Sequence, residues 1–174
     1  IHYFMKRILN SNTLNYIGKE VRVCGWVNSI RSHGKIFFVD LRDISGLLQL
    51  VFIPQNKDAY NLGKELKDEW VIEAIGEISH RPLKMRNPKI KTGEVEMVVK
   101  KLTVLSKAKT LPFSIEGEGY EISEEKRMKY RYLDLRRERM KRNIIMRQKI
   151  IQFMRDFLQK EGFVEIETPI LTKS

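Results

Sequence analysis

Hydrophobic and polar residues alternate along much of the chain between residues 20 and 106, the pattern of strands with one buried and one exposed face. In one such segment Phe37, Val39 and Leu41 fall on the same face. The first predicted strand begins at Glu20. The other four are predicted over 35–43, 46–53, 70–80 and 94–105, and a helix is predicted over 56–68.

Five strands with one helix between the third and the fourth is the element order of the OB-fold, a small barrel that binds nucleic acids. An SH3-like barrel is the alternative, but it normally lacks that helix. A basic, proline-containing loop over 81–92 joins the last two strands. We therefore predict an OB-fold domain over residues 1–106, with the native start at Met5 and Ile1–Phe4 preceding it.

The composition changes after Ser106, where residues that interrupt regular structure become frequent. Pro112, Gly117 and Gly119 mark a domain boundary. We predict that residues 107–137 form a linker or hinge, which contains a short charged helix over 122–132.

The last part of the chain, 138–174, begins with the pattern of an amphipathic helix. Its apolar stripe consists of Met146, Ile150, Phe153 and Phe157. Gly162 occupies the position of a glycine that ends a helix. Apolar and acidic residues then alternate from Phe163 onward, which predicts a strand.

Composition narrows the functional classes. The 174 residues suffice for one domain and part of a second, and the net charge of +11 favours a polyanionic partner such as nucleic acid. Cys24 is the only cysteine, so an intramolecular disulfide is excluded. No apolar run approaches the roughly 20 residues of a membrane span, and neither a signal peptide nor a metal-ligand cluster is evident. We expect a cytoplasmic protein.

One strand face carries candidate binding residues. Phe38 lies opposite the apolar face of its strand, and Gln49 lies opposite the apolar face of the next. An exposed ring can stack on an unpaired base while a neighbouring amide reads the edge of that base. The alternative is that Phe38 packs under a loop and Gln49 is merely solvated.

The C-terminal part resembles a known family. The octapeptide Tyr130–Arg137 and the segment Gly162–Leu171 are similar to the entrance of a class II aminoacyl-tRNA synthetase catalytic domain, and Gly162–Leu171 resembles motif 1 of that class. Together they resemble aspartyl-tRNA synthetases of the bacterial type. The chain is then expected to end at the first helix and strand of a truncated α+β catalytic domain.

The N-terminal part resembles the anticodon-binding domain of the same family along its whole length. The matching residues are Cys24–Val27, Arg31–Gly34, Phe38–Asp43, Gly46 and Gln49. This resemblance implies that Phe38 and Gln49 hold the central anticodon uridine and that Arg31 contacts the anticodon loop. It also implies anticodon contacts for Arg81 on the fourth strand and Glu96 on the fifth.

The resemblance assigns roles outside the barrel too. Arg136 and Arg137 belong to the family signature and are expected to make structural or tRNA contacts at the hinge. Glu138 stands where the family typically has proline, but a carboxylate in the first turn of a helix is favourable. Pro169 corresponds to the family's dimer interface, so a homodimer is expected.

The resemblance implies an aspartate–tRNA ligase. The full-length enzyme would use ATP and Mg²⁺ to form aspartyl-adenylate and would then charge tRNA(Asp). Motifs 2 and 3, which carry that chemistry, are absent here, so no catalytic or metal-binding residue and no bound cofactor is expected in this chain. The alternative is a free-standing, non-catalytic OB-fold RNA-binding protein. Neither interpretation involves DNA or a membrane.

His33 bears on tRNA specificity. It follows the first strand, in a loop where the family varies between leucine and histidine. Histidine favours the relaxed type of enzyme, which also charges tRNA(Asn).

Overall fold

Five strands close into a barrel in which one of the five joints is parallel. In a computed structural model, which describes residues 5–171, the strands β1 to β5 span Glu20–His33, Ile36–Asp43, Gly46–Phe52, Val71–His80 and Val95–Ser106. Their order around the barrel is β1-β2-β3-β5-β4. The parallel joint between β3 and β5 has three residue pairs, from Gln49–Glu96 to Val51–Val98. The expected residues before a native start, 1–4, lie outside the described residues.

Helix α1 (Lys57–Gly63) lies between β3 and β4 and confirms the OB-fold order. It is shorter than the predicted 56–68. Beyond Gly63 the chain continues in tight turns, in which the N–H of Glu65 donates to the Leu62 carbonyl at 3.1 Å and the N–H of Leu66 donates to the Gly63 carbonyl at 3.3 Å. Glu69, just before β4, adopts a positive φ of 65°, and its carboxylate accepts two bonds from Arg42 at 2.8 and 2.9 Å.

The apolar side chains predicted to share one face do fill the barrel. Val39 and Leu41 are fully buried, and Phe37 stacks on Phe52 with ring centroids 4.6 Å apart. At Gly76 an added Cβ would lie 2.2 Å from the carbonyl oxygen of Val98, so only glycine permits this approach of β4 to β5.

The turn between β2 and β3 depends on a single carboxylate. Asp43 accepts hydrogen bonds from the backbone of Ser45 at 2.7 Å and of Gly46 at 3.2 Å. Its other oxygen accepts from the backbone of Asn10 at 2.8 Å, in a 3-10 helix spanning Asn10–Tyr16. The carboxylate thus ties the N-terminal segment to the barrel.

The chain divides into two compact units, one ending at Thr110 and one beginning at Leu111, slightly beyond the predicted boundary at 106. The second unit contains three helices in its described part: α2 (Glu124–Lys129), α3 (Arg131–Asp134) and α4 (Glu138–Lys160). The helix predicted over 122–132 is thus two short helices. Tyr130, with φ −113° and ψ 45°, separates them.

Helix α4 ends as predicted at Gly162. This glycine has a φ of 86°, its N–H donates to the Gln159 carbonyl at 3.1 Å, and the next N–H, of Phe163, donates to Leu158 at 3.0 Å. This pair of bonds is a Schellman motif.

The strand predicted after Gly162 does not form in the described residues, since 163–169 belong to no helix or strand. A strand requires a hydrogen-bonding partner, and the described part of the second unit contains no other strand. None of the 23 residues of α4 is buried.

Candidate nucleic-acid interface

Cross-strand pairing brings four of the predicted binding residues together on the outside of the barrel. Arg31 of β1 pairs with Phe38 of β2, and Gln49 of β3 pairs with both Asp40 of β2 and Glu96 of β5. Directly paired residues lie on the same face of a sheet. We call the group Arg31, Phe38, Asp40, Gln49, Glu96 and Arg81 the outer patch.

An ion pair lies at the β1–β2 side of the outer patch. Nη2 of Arg31 donates to both carboxylate oxygens of Asp40, at 2.8 and 2.9 Å. The hydroxyl of Ser29 donates to Oδ2 of Asp40 at 2.8 Å. The Arg31 side chain remains 57% exposed, so the rest of its guanidinium can reach a ligand.

Gln49 lies at the centre of the outer patch and is only 9% exposed. Its Oε1 accepts from Nη2 of Arg31 at 3.4 Å, and its Nε2 donates to Oε2 of Glu96 at 2.8 Å. The amide therefore faces outward as predicted, but its neighbours cover most of it. The alternative interpretation of a solvated Gln49 is wrong. Phe38 beside it is half-buried.

Arg81, which is buried, and Glu96, which is half-buried, are the charged residues at the β4–β5 side of the outer patch. Burial raises the pKa of Glu96, while the bond from Gln49 and the charge of Arg81 oppose that rise. Burial likewise lowers the pKa of Arg81, against the charges of Glu96 and Asp40. Burial thus disfavours the charged form of each group, and the opposite charge of the other group partly offsets this effect.

Arg81 lies just past the end of β4, not on the strand as predicted. Only 5% of the residue is exposed, and its Nε donates to the Val95 carbonyl at 2.9 Å. Its buried Nη2 has no hydrogen-bond partner within the described residues. A buried donor without a partner is unfavourable, so a ligand acceptor at this position would be stabilising.

His33 is the last residue of β1 and not part of a loop as predicted. It pairs with Ile36 across a hairpin turn made of Gly34 and Lys35, and Gly34 has a φ of 61°. His33 is exposed and lies two residues beyond Arg31, hence on the same strand face. It extends the outer patch toward the hairpin tip.

Arg137 is a buried residue that makes structural contacts in the linker. The residue is completely buried, and its guanidinium donates to the backbone carbonyls of Ser114 at 2.5 Å and Glu116 at 2.6 Å. At Gly119 an added Cβ would lie 2.6 Å from Nε of Arg137. Arg137 thus holds the linker in place, and its guanidinium is not exposed to solvent. Arg136 beside it is half-exposed.

Asp134 is the carboxylate on which the linker arginines converge. It is fully buried and forms ion pairs with Arg127 at 3.1 Å, Arg131 at 2.8 Å and Arg137 at 3.3 Å. Burial alone would raise the pKa of Asp134. The hydrogen bond from Arg127 and the three positive charges outweigh it and hold the pKa below its usual value.

The predicted dimer residue, Pro169, is exposed and lies outside any helix or strand. Arg155 of α4 donates to Glu165 at 2.8 Å, which holds the start of this segment beside the helix. Large apolar side chains of α4 and the following segment remain exposed, among them Phe153 at 70% and Ile166 at 77%.

Sequence reasoning did not single out Asp40 and Asp134 as functional residues. Asp40 shares the polar strand face with Phe38, but its ion pair with Arg31 depends on the register between β1 and β2.

The described residues contain no group of three or more His, Cys, Asp or Glu side chains placed to hold a metal ion. No helix in that part of the chain is long and apolar enough to cross a membrane.

Comparison with known proteins assigns both units of the chain. Residues 21–105 match the family model for the OB-fold nucleic acid binding domain, and residues 123–174 match that for tRNA synthetases class II (D, K and N). A protein of Syntrophomonas wolfei, named Aspartate–tRNA(Asp/Asn) ligase, is 50% identical over 173 residues. The second unit of the chain therefore resembles the class II tRNA synthetases, and the chain as a whole is similar to the N-terminal part of such an enzyme. The predicted resemblance and fold class are confirmed.

The alignment with these synthetases covers 98% of the chain but 29% of the S. wolfei protein, so the chain spans less than a third of that relative. The Aspartate–tRNA(Asp/Asn) ligase of Aquifex aeolicus is 49% identical over 159 residues, 91% of this chain and 26% of that protein. The solved structure of an aspartyl-tRNA synthetase from Entamoeba histolytica is 20% identical in sequence and superposes with a TM-score of 0.82. The superposition covers 98% of this chain and 40% of the E. histolytica chain. That similarity shows the shared fold.

Proposed function

We propose that the outer patch reads the central anticodon base of tRNA(Asp). The observation that carries this proposal is that a half-exposed aromatic ring, Phe38, and an oriented amide, Gln49, lie on the same face of an OB-fold barrel. Base stacking on an aromatic ring contributes about 1–3 kcal/mol and tolerates any base. Hydrogen bonds to the base edge then supply the selectivity.

The unpartnered Nη2 of Arg81 supports the same proposal, since a base carbonyl or a phosphate oxygen would satisfy it. The net charge of +11 adds the sequence-independent attraction to the RNA backbone. Specificity and affinity thus arise from different groups.

The test is binding of the 174-residue chain to RNA stem-loops that carry the anticodon of tRNA(Asp). One stem-loop has uridine at the middle position and a second has cytidine there. We expect tighter binding of the uridine stem-loop at every salt concentration. Equal affinity for the two at all salt concentrations would refute reading of the base.

We further infer that the whole protein accepts both tRNA(Asp) and tRNA(Asn). The names of both bacterial relatives, which include Asp and Asn, support this, as does His33 on the strand face that carries Arg31. In His33→Leu, binding of a tRNA(Asn) stem-loop should weaken relative to a tRNA(Asp) stem-loop. An unchanged ratio would refute a role for His33.

We propose that the whole protein is a cytoplasmic aspartate–tRNA ligase that uses ATP and Mg²⁺ and acts as a homodimer. The match of residues 123–174 to class II synthetases supports this over a free-standing RNA-binding module. No residue of this chain is assigned to ATP or magnesium. The activity is tested by measuring the rate at which the full-length enzyme aminoacylates tRNA(Asp) at different concentrations of ATP and aspartate.

A further inference from the structure

We propose that Asp40 is a positioning residue of the outer patch, which holds Arg31 against Gln49 and so fixes the amide that reads the base. This inference rests on the proposed reading of the anticodon. It adds a specificity-determining residue that touches no base itself.

Asp40 restricts an otherwise mobile side chain. Arg31 is 57% exposed, whereas the Asp40 carboxylate is 17% exposed and is itself held by the hydroxyl of Ser29. Nη2 lies within hydrogen-bonding distance of both oxygens of Asp40, and this charge-assisted contact fixes the direction of the guanidinium. Without the carboxylate, an exposed arginine would sample many rotamers.

The same nitrogen of Arg31 transmits this order to Gln49. Arg31 can only donate a hydrogen bond, and the carboxylate of Glu96 can only accept one. Their contacts with opposite ends of the Gln49 amide, at 3.4 and 2.8 Å, are satisfied together in a single orientation of that amide. Asp40 therefore acts on the amide through Arg31.

A fixed amide matters because uridine and cytidine differ at the atoms it can touch. Uridine presents an N–H flanked by two carbonyl oxygens, whereas cytidine presents a bare ring nitrogen and an amino group. A Gln49 amide that could turn over would accommodate both patterns. Holding its oxygen toward Arg31 and its nitrogen toward Glu96 leaves one set of donor and acceptor positions.

Asp40 also sets how Arg31 interacts with RNA. The carboxylate compensates the positive charge of the guanidinium, so Arg31 acts mainly through geometry. When Asp40 is neutralised, Arg31 is free to pair with a backbone phosphate, which carries no sequence information. Loss of selectivity and gain of salt-sensitive binding should then appear together.

The experiment measures the affinity of the uridine and cytidine stem-loops, over a range of salt, for the parent chain, Asp40→Asn, Arg31→Ala and the double variant. Asp58→Asn is the matched control, because Asp58 is an exposed aspartate of α1 and does not belong to the outer patch. In Asp40→Asn the preference for uridine should fall about tenfold. Its salt slope should steepen by about 0.7.

In the Arg31→Ala background, Asp40→Asn should cause no further loss of preference, because the residue that Asp40 positions is gone. Asp58→Asn should keep the parental preference. Should Asp40→Asn fail to fold, Ser29→Ala removes one bond to the carboxylate and should lower the preference in the same direction by a smaller factor.

An Asp40→Asn variant that retains the full preference, with or without a lower thermal midpoint, would refute the inference and leave Asp40 a purely structural role. An equal loss in the presence and absence of Arg31 would also refute it. A parent chain without any preference for uridine would instead refute the proposed function, so the two failures are distinguishable.

Discussion

Adjacent phenylalanines on β2 provide the sharpest test of the barrel's two faces. Phe37 points inward, is 6% exposed and stacks on Phe52. Phe38 points outward, is half-buried and belongs to the outer patch. Replacing each in turn by alanine removes the same atoms from opposite sides of one strand, so the pair separates stability from recognition.

We expect Phe37→Ala to reduce mainly the free energy of unfolding and Phe38→Ala to reduce mainly the free energy of RNA binding. Phe37→Ala leaves a cavity in a packed core and should cost about 3–5 kcal/mol of unfolding free energy, a large part of the roughly 5–15 kcal/mol of a typical domain. Phe38→Ala removes a partly exposed ring and should cost about 1 kcal/mol. It should weaken stem-loop binding by about 1–3 kcal/mol, which raises Kd about 5- to 150-fold.

Thermal unfolding followed by circular dichroism and anisotropy of a labelled stem-loop measure the two effects. Phe38→Tyr, which keeps the aromatic ring, should retain most of the affinity. If Phe38→Ala bound RNA as tightly as the parent, or if both alanine variants lost equal stability, the assignment of the two faces would be wrong.

Three further predictions concern the rest of the molecule. Gln49→Ala should lower discrimination between uridine and cytidine at the middle anticodon position while keeping the parental salt slope, because the amide carries no charge; a slope changed by about one unit would indicate a phosphate contact instead. Asp134→Asn leaves the buried Arg137 without its ion-pair partner and should destabilise the second unit by about 3–5 kcal/mol. Because the folded-state pKa of Asp134 is depressed, its stabilisation is complete above about pH 4 and is lost as the pH falls below that value. A pH series of thermal midpoints should show this loss in the parent and not in the variant; identical profiles would contradict it. Hydrogen exchange at low protein concentration should show strong protection over 20–106 and little over 138–160, since an unpacked helix is marginal in water; equal protection of both in a monomer would contradict this.

Local signals made much of the fold predictable from the sequence. Alternation of apolar and polar residues identified the inward side of β2, and the placement of Gly162 after a helical stripe identified the end of α4. These features depend on residues close together in sequence. The outward position of Phe38 follows from the same alternation.

The environment of charged residues was less predictable, because it depends on distant backbone. Arg137 is buried because carbonyl groups of residues 114–117 surround it, and carbonyl groups are present at every residue and leave no sequence signal. Arg81 is likewise buried by packing at the end of β4. The strand predicted after Gly162 needs a partner that the described residues do not supply.

The parallel joint between β3 and β5 has a consequence for how the protein is made. Gln49 and Glu96, 47 positions apart, form one of its three residue pairs. Contacts between residues so distant in sequence form late and slowly, because a long loop must close first. A nascent chain that has not yet reached β5 therefore has Phe38 but no oriented amide beside it. Selective RNA binding should begin only once the barrel has closed, and a chain cut before Val95 should retain no preference for uridine.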